Sequence, residues 1–309
     1  MRWVTFDRDG ASRPGLARED GRVIDLQAAG TGSRRNRQSP SSLLEICAAA
    51  PAARRAIAEL ADKAHLEAGL PLKSIRLRPP IERPGKILCL AGNYREHIVE
   101  SGFEAVADAD VITPQLFLKP ATCLIGDGDP IPLGPYSVKV GWEVELAVVI
   151  GRRGRHIAEA DAMAHVFGYT VLNDVSERGL HAHLAGRRIR ERDPFFDWLA
   201  GKWFDGFAPC GPCITEAAGI ADPHDLDLRL YVNGELRQQG HTGNMIFRIP
   251  QLIATISAIT TLEPGDLIAT GTPVGAGTGF GEAFLREGDE VACDIPGIGT
   301  LRNPVRRAP

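Results

Sequence analysis

The segment "GWEVELAVVIG" (residues 141–151) sets Glu143 and Glu145 two residues apart at the head of an apolar run. Side chains of a strand alternate between its faces. Glu143, Glu145, Ala147 and Val149 therefore share one face, and Val144, Leu146, Val148 and Ile150 the other. A strand apolar on both faces is usually buried on both. Two carboxylates about 7 Å apart along it, two steps of ~3.3 Å, repel unless a cation lies between them. A hard divalent ion, Mg²⁺ or Mn²⁺, takes oxygen ligands of this kind. The rival reading is the polar end of a half-exposed strand. It accounts easily for Glu143, but less well for a face that turns apolar at Ala147 and Val149. Asp174, at the end of "VFGYTVLND", offers a third carboxylate. The N-cap of a helix over "VSERGLHAHLAG" is equally open to it.

"GNYREHIVES" (92–101) supplies a second constellation. His97 and Glu100 are three apart and share a helix face. A carboxylate that accepts the imidazole N–H fixes its tautomer and raises its basicity, which suits a general base. An ordinary exposed ion pair has the same spacing. Other patterns carry less. "CGPC" (210–213) is a redox dithiol only where it opens a helix after a strand, and "FAPCGPCITEAAG" shows no amphipathic helix behind it. "HAH" (181–183) does not share a helix face. "GAGTGFG" (275–281) lacks a complete dinucleotide fingerprint, so no organic cofactor is expected.

The elements that must position these groups follow from composition and punctuation. The chain has 309 residues, 44% hydrophobic and 24% charged, with a formal net charge of −4. Nothing in that balance points to nucleic acid or an anionic membrane. The basic runs at 34–37 and 186–193 read as solvated loops. No apolar run approaches a membrane span. The opening "MRWVTFDRDG" lacks a signal core, and six dispersed cysteines fit reduced thiols, so a cytoplasmic location is expected. Residues 1–78 read as a small α+β module: short strands in "RWVTFDR" and "GRVIDLQ", then an Ala/Leu-rich helical stretch broken at Pro51. The Pro-rich "RLRPPIERPGK" links it to residues 79–309. There, short apolar runs end in glycine or polar residues, Asn233-Gly234 marks a hairpin, and one helix is predicted at about 249–260. Without regular strand–helix alternation, the expected class is a β-rich α+β fold.

Seven motifs then occur in order: "GNYREH", "PQLFLKPATCLIGDGDPI", "EVELAVVIG", "GYTVLNDVSER", "GKWFDGFAPCGP", "VNGELRQQGHTGNMIF" and "GDLIATGTPVGAG". From about Lys86 to the C-terminus the chain closely resembles the fumarylacetoacetate hydrolase family, in a bacterial form with a small N-terminal domain. The resemblance implies a mixed β-sandwich roll, a homodimer, and Mg²⁺ or Mn²⁺ held by Glu143, Glu145 and Asp174. His97 and Glu100 match the family's water-activating dyad, on a lid at about 97–112. Lys202 matches its active-site lysine, and Thr272 a contact to the substrate's carboxylate or carbonyl end. Tyr94, Arg178, His181 and Gln238 fall at motif positions near substrate. His181 stands where many relatives have Gln, Gly179 where Asp is usual, and Gly141-Trp142 where Asp-Tyr is common. The implied partner is a small 2-oxo or diketo acid. The implied reaction is hydrolysis of a C–C bond in an acylpyruvate- or fumarylpyruvate-like diketo acid. A 2-oxo acid decarboxylase or enol/keto isomerase on the same scaffold is the alternative, and a non-catalytic metal-binding protein the third.

Overall fold

The computed structural model describes residues 1–30, 39–63, 69–104, 111–180, 186–276 and 283–308. The β-branched and alternating runs form strands. In chain order the principal ones are β1 (Arg2–Arg8), β2 (Ala11–Ala17), β3 (Arg22–Asp25), β4 (Ile87–Ala91) and β5 (Gln115–Lys119). Then come β6 (Val144–Ile150), β7 (Val166–Asn173) and β8 (Ala208–Glu216). Last are β9 (Asp227–Val232), β10 (Glu235–His241), β11 (Leu267–Ala269), β12 (Glu290–Ile295) and β13 (Gly299–Arg307). The helices that bear on the site are α1 (Leu43–Ala48), α2 (Pro51–Lys63), α3 (Arg95–Glu100), α4 (Asp193–Gly201) and α5 (Ile249–Ile259).

The larger sheet runs β3-β2-β1-β8-β7-β6-β11-β4-β5, with short strands at its margins. The first three strands thus continue the sheet of the following residues, through Arg2↔Thr215 and Trp3↔Ile214. The smaller sheet runs β10-β9-β12-β13 and ends on Ile131–Leu133. As predicted, β9 and β10 turn at Asn233 and Gly234, whose φ of +54° and +81° suit a two-residue hairpin. Helix α5 covers Ile249–Ile259, where the apolar period placed it.

Strand β6 is buried along its whole length because both faces are covered. Val144, Leu146, Val148 and Ile150 pack with Leu228, Leu230 and Val291 of the smaller sheet and with Ile253 and Ile256 of α5. Ala147 and Val149 pack on the other side with Phe167, Ile87 and Phe117, and with Leu43 and Ile46 of α1. Each fully buried aliphatic contributes about 1.5–3 kcal/mol. These two packed sheets, with α5 on one side of β6 and α1 on the other, form the β-rich roll that the sequence predicts.

"CGPC" lies inside β8, not at a helix start. Cys210 and Cys213 are buried free thiols. Burial pushes the Cys210 thiol up to about 12, the condition of an inert rather than a nucleophilic cysteine.

Candidate active site

Strands β6 and β7 pair antiparallel with Val144 opposite Asn173, so the next step outward brings Glu143 and Asp174 together. The Asp174 N–H donates to the Glu143 carbonyl at 2.9 Å, and Asn173 Oδ1 accepts from the Glu143 N–H at 2.9 Å. Glu145 is on the same face two residues on, and its Oε2 accepts from the Gly271 N–H at 2.6 Å. Gly271 has φ +92°, and a Cβ there would stand 2.8 Å from the Asn93 Cβ, so only glycine lets this turn come so close. The result is three buried carboxylates with ligand oxygens all within 4.8 Å of one another. Asp174 heads no helix, because Ser176–Glu177 continues as a short strand.

Three cations surround the acids. Lys119, the last residue of β5, donates to Asp174 Oδ1 at 2.6 Å and to the Val175 carbonyl at 3.1 Å. Lys202, just past α4, donates to Asp174 Oδ2 at 2.7 Å and to Glu143 Oε2 at 2.9 Å. Arg178 pairs with Glu143 Oε1. Glycine at 201 makes this convergence possible, since a Cβ would lie 2.1 Å from the Glu177 carbonyl oxygen. Burial, with the charges of Asp174 and Glu143 beside it, pushes the Glu145 carboxyl well above the usual range. Burial also opposes ionisation of Asp174, but Lys119 and Lys202 outweigh it and hold that carboxyl below its ordinary value. For Lys202, burial favours the neutral amine, and Asp174 and Glu143 outweigh it and raise its pKa.

Lys119 is the site residue that motif reading passes over. Its signal is a lysine ending an apolar run, "QLFLK", immediately before a proline. At a sheet margin that pattern ordinarily marks an exposed end, yet Lys119 is 3% exposed.

The second constellation lies on α3. His97 Nδ1 and Glu100 Oε2 are 3.3 Å apart, as the i,i+3 spacing predicts. Both Glu100 oxygens also accept from the Gly275 N–H at 3.0 Å. The Gly275 carbonyl in turn accepts from Trp142 Nε1 at 3.1 Å, which gives the departure at Trp142 a use: it ties the head of the acidic strand to the loop that grips Glu100. Asn93 fixes the entry to α3, its side-chain amide donating to the Thr270 and Phe247 carbonyls at 2.7 and 3.1 Å. A cleft of about 350 Å³ opens between Glu100, Gln238, Val274 and Gly275.

The other predicted residues divide. Tyr94 is buried, and its hydroxyl has no hydrogen-bond partner among the described residues. Gln238 and Thr272 clasp the start of β6. Gln238 Oε1 accepts from the Val144 N–H, Thr272 Oγ1 donates to the Val144 carbonyl, and Gln238 Nε2 donates to Thr272 Oγ1, each at 2.9 Å. His181 lies outside the described residues, as does 105–110 of the expected lid. The run at 186–193 is more structured than a solvated loop. Arg187 pairs with Asp197 at 2.9 Å and Arg190 with Asp193 at 2.9 Å, anchoring the start of the helix that leads to Lys202.

Three clustered hard-oxygen donors, one of them kept from ionising easily by burial and by the other two, suit Mg²⁺ or Mn²⁺. Glu143, Glu145 and Asp174 would hold the ion. The family profile described as Fumarylacetoacetate (FAA) hydrolase C-terminal matches residues 86–306. The chain is 39% identical over 314 residues to oxaloacetate tautomerase YisK of Bacillus subtilis (strain 168), covering 99% of this chain and 100% of that one. It is 42% identical over 238 residues to the mitochondrial oxaloacetate tautomerase FAHD2A of Homo sapiens, covering 76% and 71%. The crystal structure of maleylpyruvate hydrolase from Sphingobium sp. SYK-6 with manganese(II) and pyruvate superposes with a TM-score of 0.77 at 31% identity, over 100% of both chains. The chain belongs to the fumarylacetoacetate hydrolase family, and it is an enzyme of that family's fold.

Proposed function

We propose that this chain is a divalent-metal-dependent enzyme that interconverts the keto and enol forms of an oxaloacetate-like 2-oxo diacid. The observation that carries the reading is the buried cluster of Glu143, Glu145 and Asp174 braced by Lys119 and Lys202. The oxaloacetate tautomerases among its relatives support the reaction, and the manganese- and pyruvate-bound structure supports the ligands. A divalent ion in this cluster supplies Lewis-acid polarisation of a carbonyl. The chain's own groups do the rest. His97, its Nδ1 held by Glu100, offers Nε2 to take the proton from the carbon beside the 2-oxo group. Lys202 donates a hydrogen bond to the oxygen on which charge develops and passes it a proton to complete the enol, and the proton held by His97 returns to Lys202 through solvent. Arg178 and Tyr94 bind the carboxylates, with Gln238 and Thr272 shaping the rest of the cleft.

A second reading, C–C hydrolysis of a diketo acid, is favoured by one feature. The same carboxylate-held imidazole suits activation of a water molecule. A homodimer and a cytoplasmic location accompany either reading.

Oxaloacetate, fumarylpyruvate and acylpyruvates, incubated with metal-stripped and Mn²⁺- or Mg²⁺-reloaded protein, separate the readings by enol absorbance and product mass. Tautomerisation preserves mass, hydrolysis yields two fragments, and decarboxylation releases CO₂. Metal-dependent enol conversion of oxaloacetate is expected. Turnover that survives chelation, or metal binding without turnover on any of these acids, would sink the proposal.

A further inference from the structure

We infer that the carboxylate cluster binds its divalent ion tightly only together with a dianionic chelator, so that metal and substrate dianion enter as a thermodynamically coupled pair. This rests on the metal-dependent 2-oxo acid reading above. The argument is a charge count in a buried place. With all three ionised, Glu143, Glu145 and Asp174 carry three formal negative charges, and Lys119, Lys202 and Arg178, paired with Glu143 and Asp174, carry three positive ones. Even fully ionised, the cluster is thus formally neutral and offers an arriving cation no surplus negative charge.

It is also shielded from water. Glu145 and Asp174 are each 1% exposed, Lys202 is 2% and Lys119 is 3%. Adding a divalent ion with all three acids ionised leaves two uncompensated positive charges among buried groups. Such charge is expensive to hold away from water. The lysines cannot swing out to relieve it. Lys119 is pinned to both Asp174 and the Val175 carbonyl, and Lys202 spans Asp174 and Glu143. The compensating charge must come from the ligand, and two negative charges restore neutrality. A monoanion such as pyruvate leaves one positive charge, whereas a 2-oxo diacid leaves none. The feature that the site selects is thus total ligand charge as well as chelating geometry. Coupling is reciprocal: the diacid raises metal affinity by the factor by which the metal raises diacid affinity.

Calorimetric titration of the whole metal-stripped chain with Mn²⁺ tests this, alone and with saturating oxalate or oxamate. These share size and two-oxygen chelation but differ by one charge. After allowance for each ligand's protein-free association with Mn²⁺, oxalate is expected to raise Mn²⁺ affinity on the order of 10- to 100-fold, and oxamate distinctly less. Lys119→Met, which removes one positive charge, is expected to bind Mn²⁺ alone more tightly than the parent and to gain less from oxalate. Lys119→Arg keeps the charge and is expected to keep the parent pattern. Should Lys119→Met fail to fold, the oxalate–oxamate comparison in the parent chain decides by itself. Mn²⁺ binding that is indifferent to oxalate, or raised equally by oxamate, overturns the coupling while leaving the metal-dependent reading intact. Absence of Mn²⁺ binding in every arm overturns both.

Discussion

The acidic cluster and the His97–Glu100 pair are built in opposite ways. Glu143, Glu145 and Asp174 stand at the ends of central strands locked by long-range pairing on both sides, and are buried with their cations. His97 and Glu100 ride on a helix of six residues. A helix that short has no stability of its own. It depends on Asn93 at one end and on the Gly275 N–H at the other. The sheet provides a fixed charge centre, and under the proposed function the helix provides an adjustable proton-transfer group. That separation offers a physical reason why relatives on this scaffold carry names as different as tautomerase and hydrolase.

The largest expected effect lies on the sheet side. Glu143→Ala removes one of the three proposed metal ligands and leaves Arg178 and Lys202 without the carboxylate between them. Turnover should fall to the uncatalysed background and Mn²⁺ binding should vanish from calorimetry. Retained Mn²⁺ affinity would break the comparison. On the helix side, His97→Ala should cut turnover by about 10²- to 10⁴-fold while Mn²⁺ affinity stays at the parent value. A loss of metal affinity would show that the two halves are not separable.

A smaller effect is expected where the halves meet. Trp142→Phe deletes the donor to the Gly275 carbonyl, a hydrogen bond contributing about 0.5–1.5 kcal/mol. Turnover should drop a few-fold with unchanged Mn²⁺ affinity, because the change loosens only the loop that grips Glu100. The smallest effect belongs to the helix start that leads to Lys202. Arg190 holds the Asp193 carboxyl down to about 2 through side-chain and backbone hydrogen bonds. A carboxyl lowered in the folded state stabilises above its unfolded value, about 3.9, and loses that contribution as pH falls towards 2. Asp193→Asn should therefore melt lower than the parent at pH 7, with the gap closing between about pH 4 and pH 2. A gap independent of pH would assign the loss to packing.

What could be read from the sequence follows the same division. The β6 pattern of two acids followed by a doubly apolar run was legible because strand alternation is strictly local. The i,i+3 dyad and the Asn233-Gly234 hairpin were legible for the same reason. Lys119 was not. Its meaning depends on a strand far away in sequence bringing Asp174 alongside it, and nothing near Lys119 encodes that. Helix α4 was hidden too. Its Phe195, Phe196 and Trp198 give no clean apolar stripe, Phe195 and Phe196 being exposed, and only Asp193-Pro194 at its start carries a helix signal. The joining of β1 to β8 spans more than two hundred residues and leaves no local mark.

That last junction has a bearing on handling the protein. Residues 1–78 shield the Cys213–Glu216 end of β8, because Arg2 and Trp3 pair there with Thr215 and Ile214. Cutting the chain before the family-matched segment would leave that strand margin with unpaired N–H and C=O groups, a template for intermolecular β-pairing. A fragment of residues 79–309 should self-associate, visible as rising light scattering with concentration, under conditions where the whole chain scatters at a constant mass. The amino-terminal strands would then serve the enzyme as a guard against aggregation.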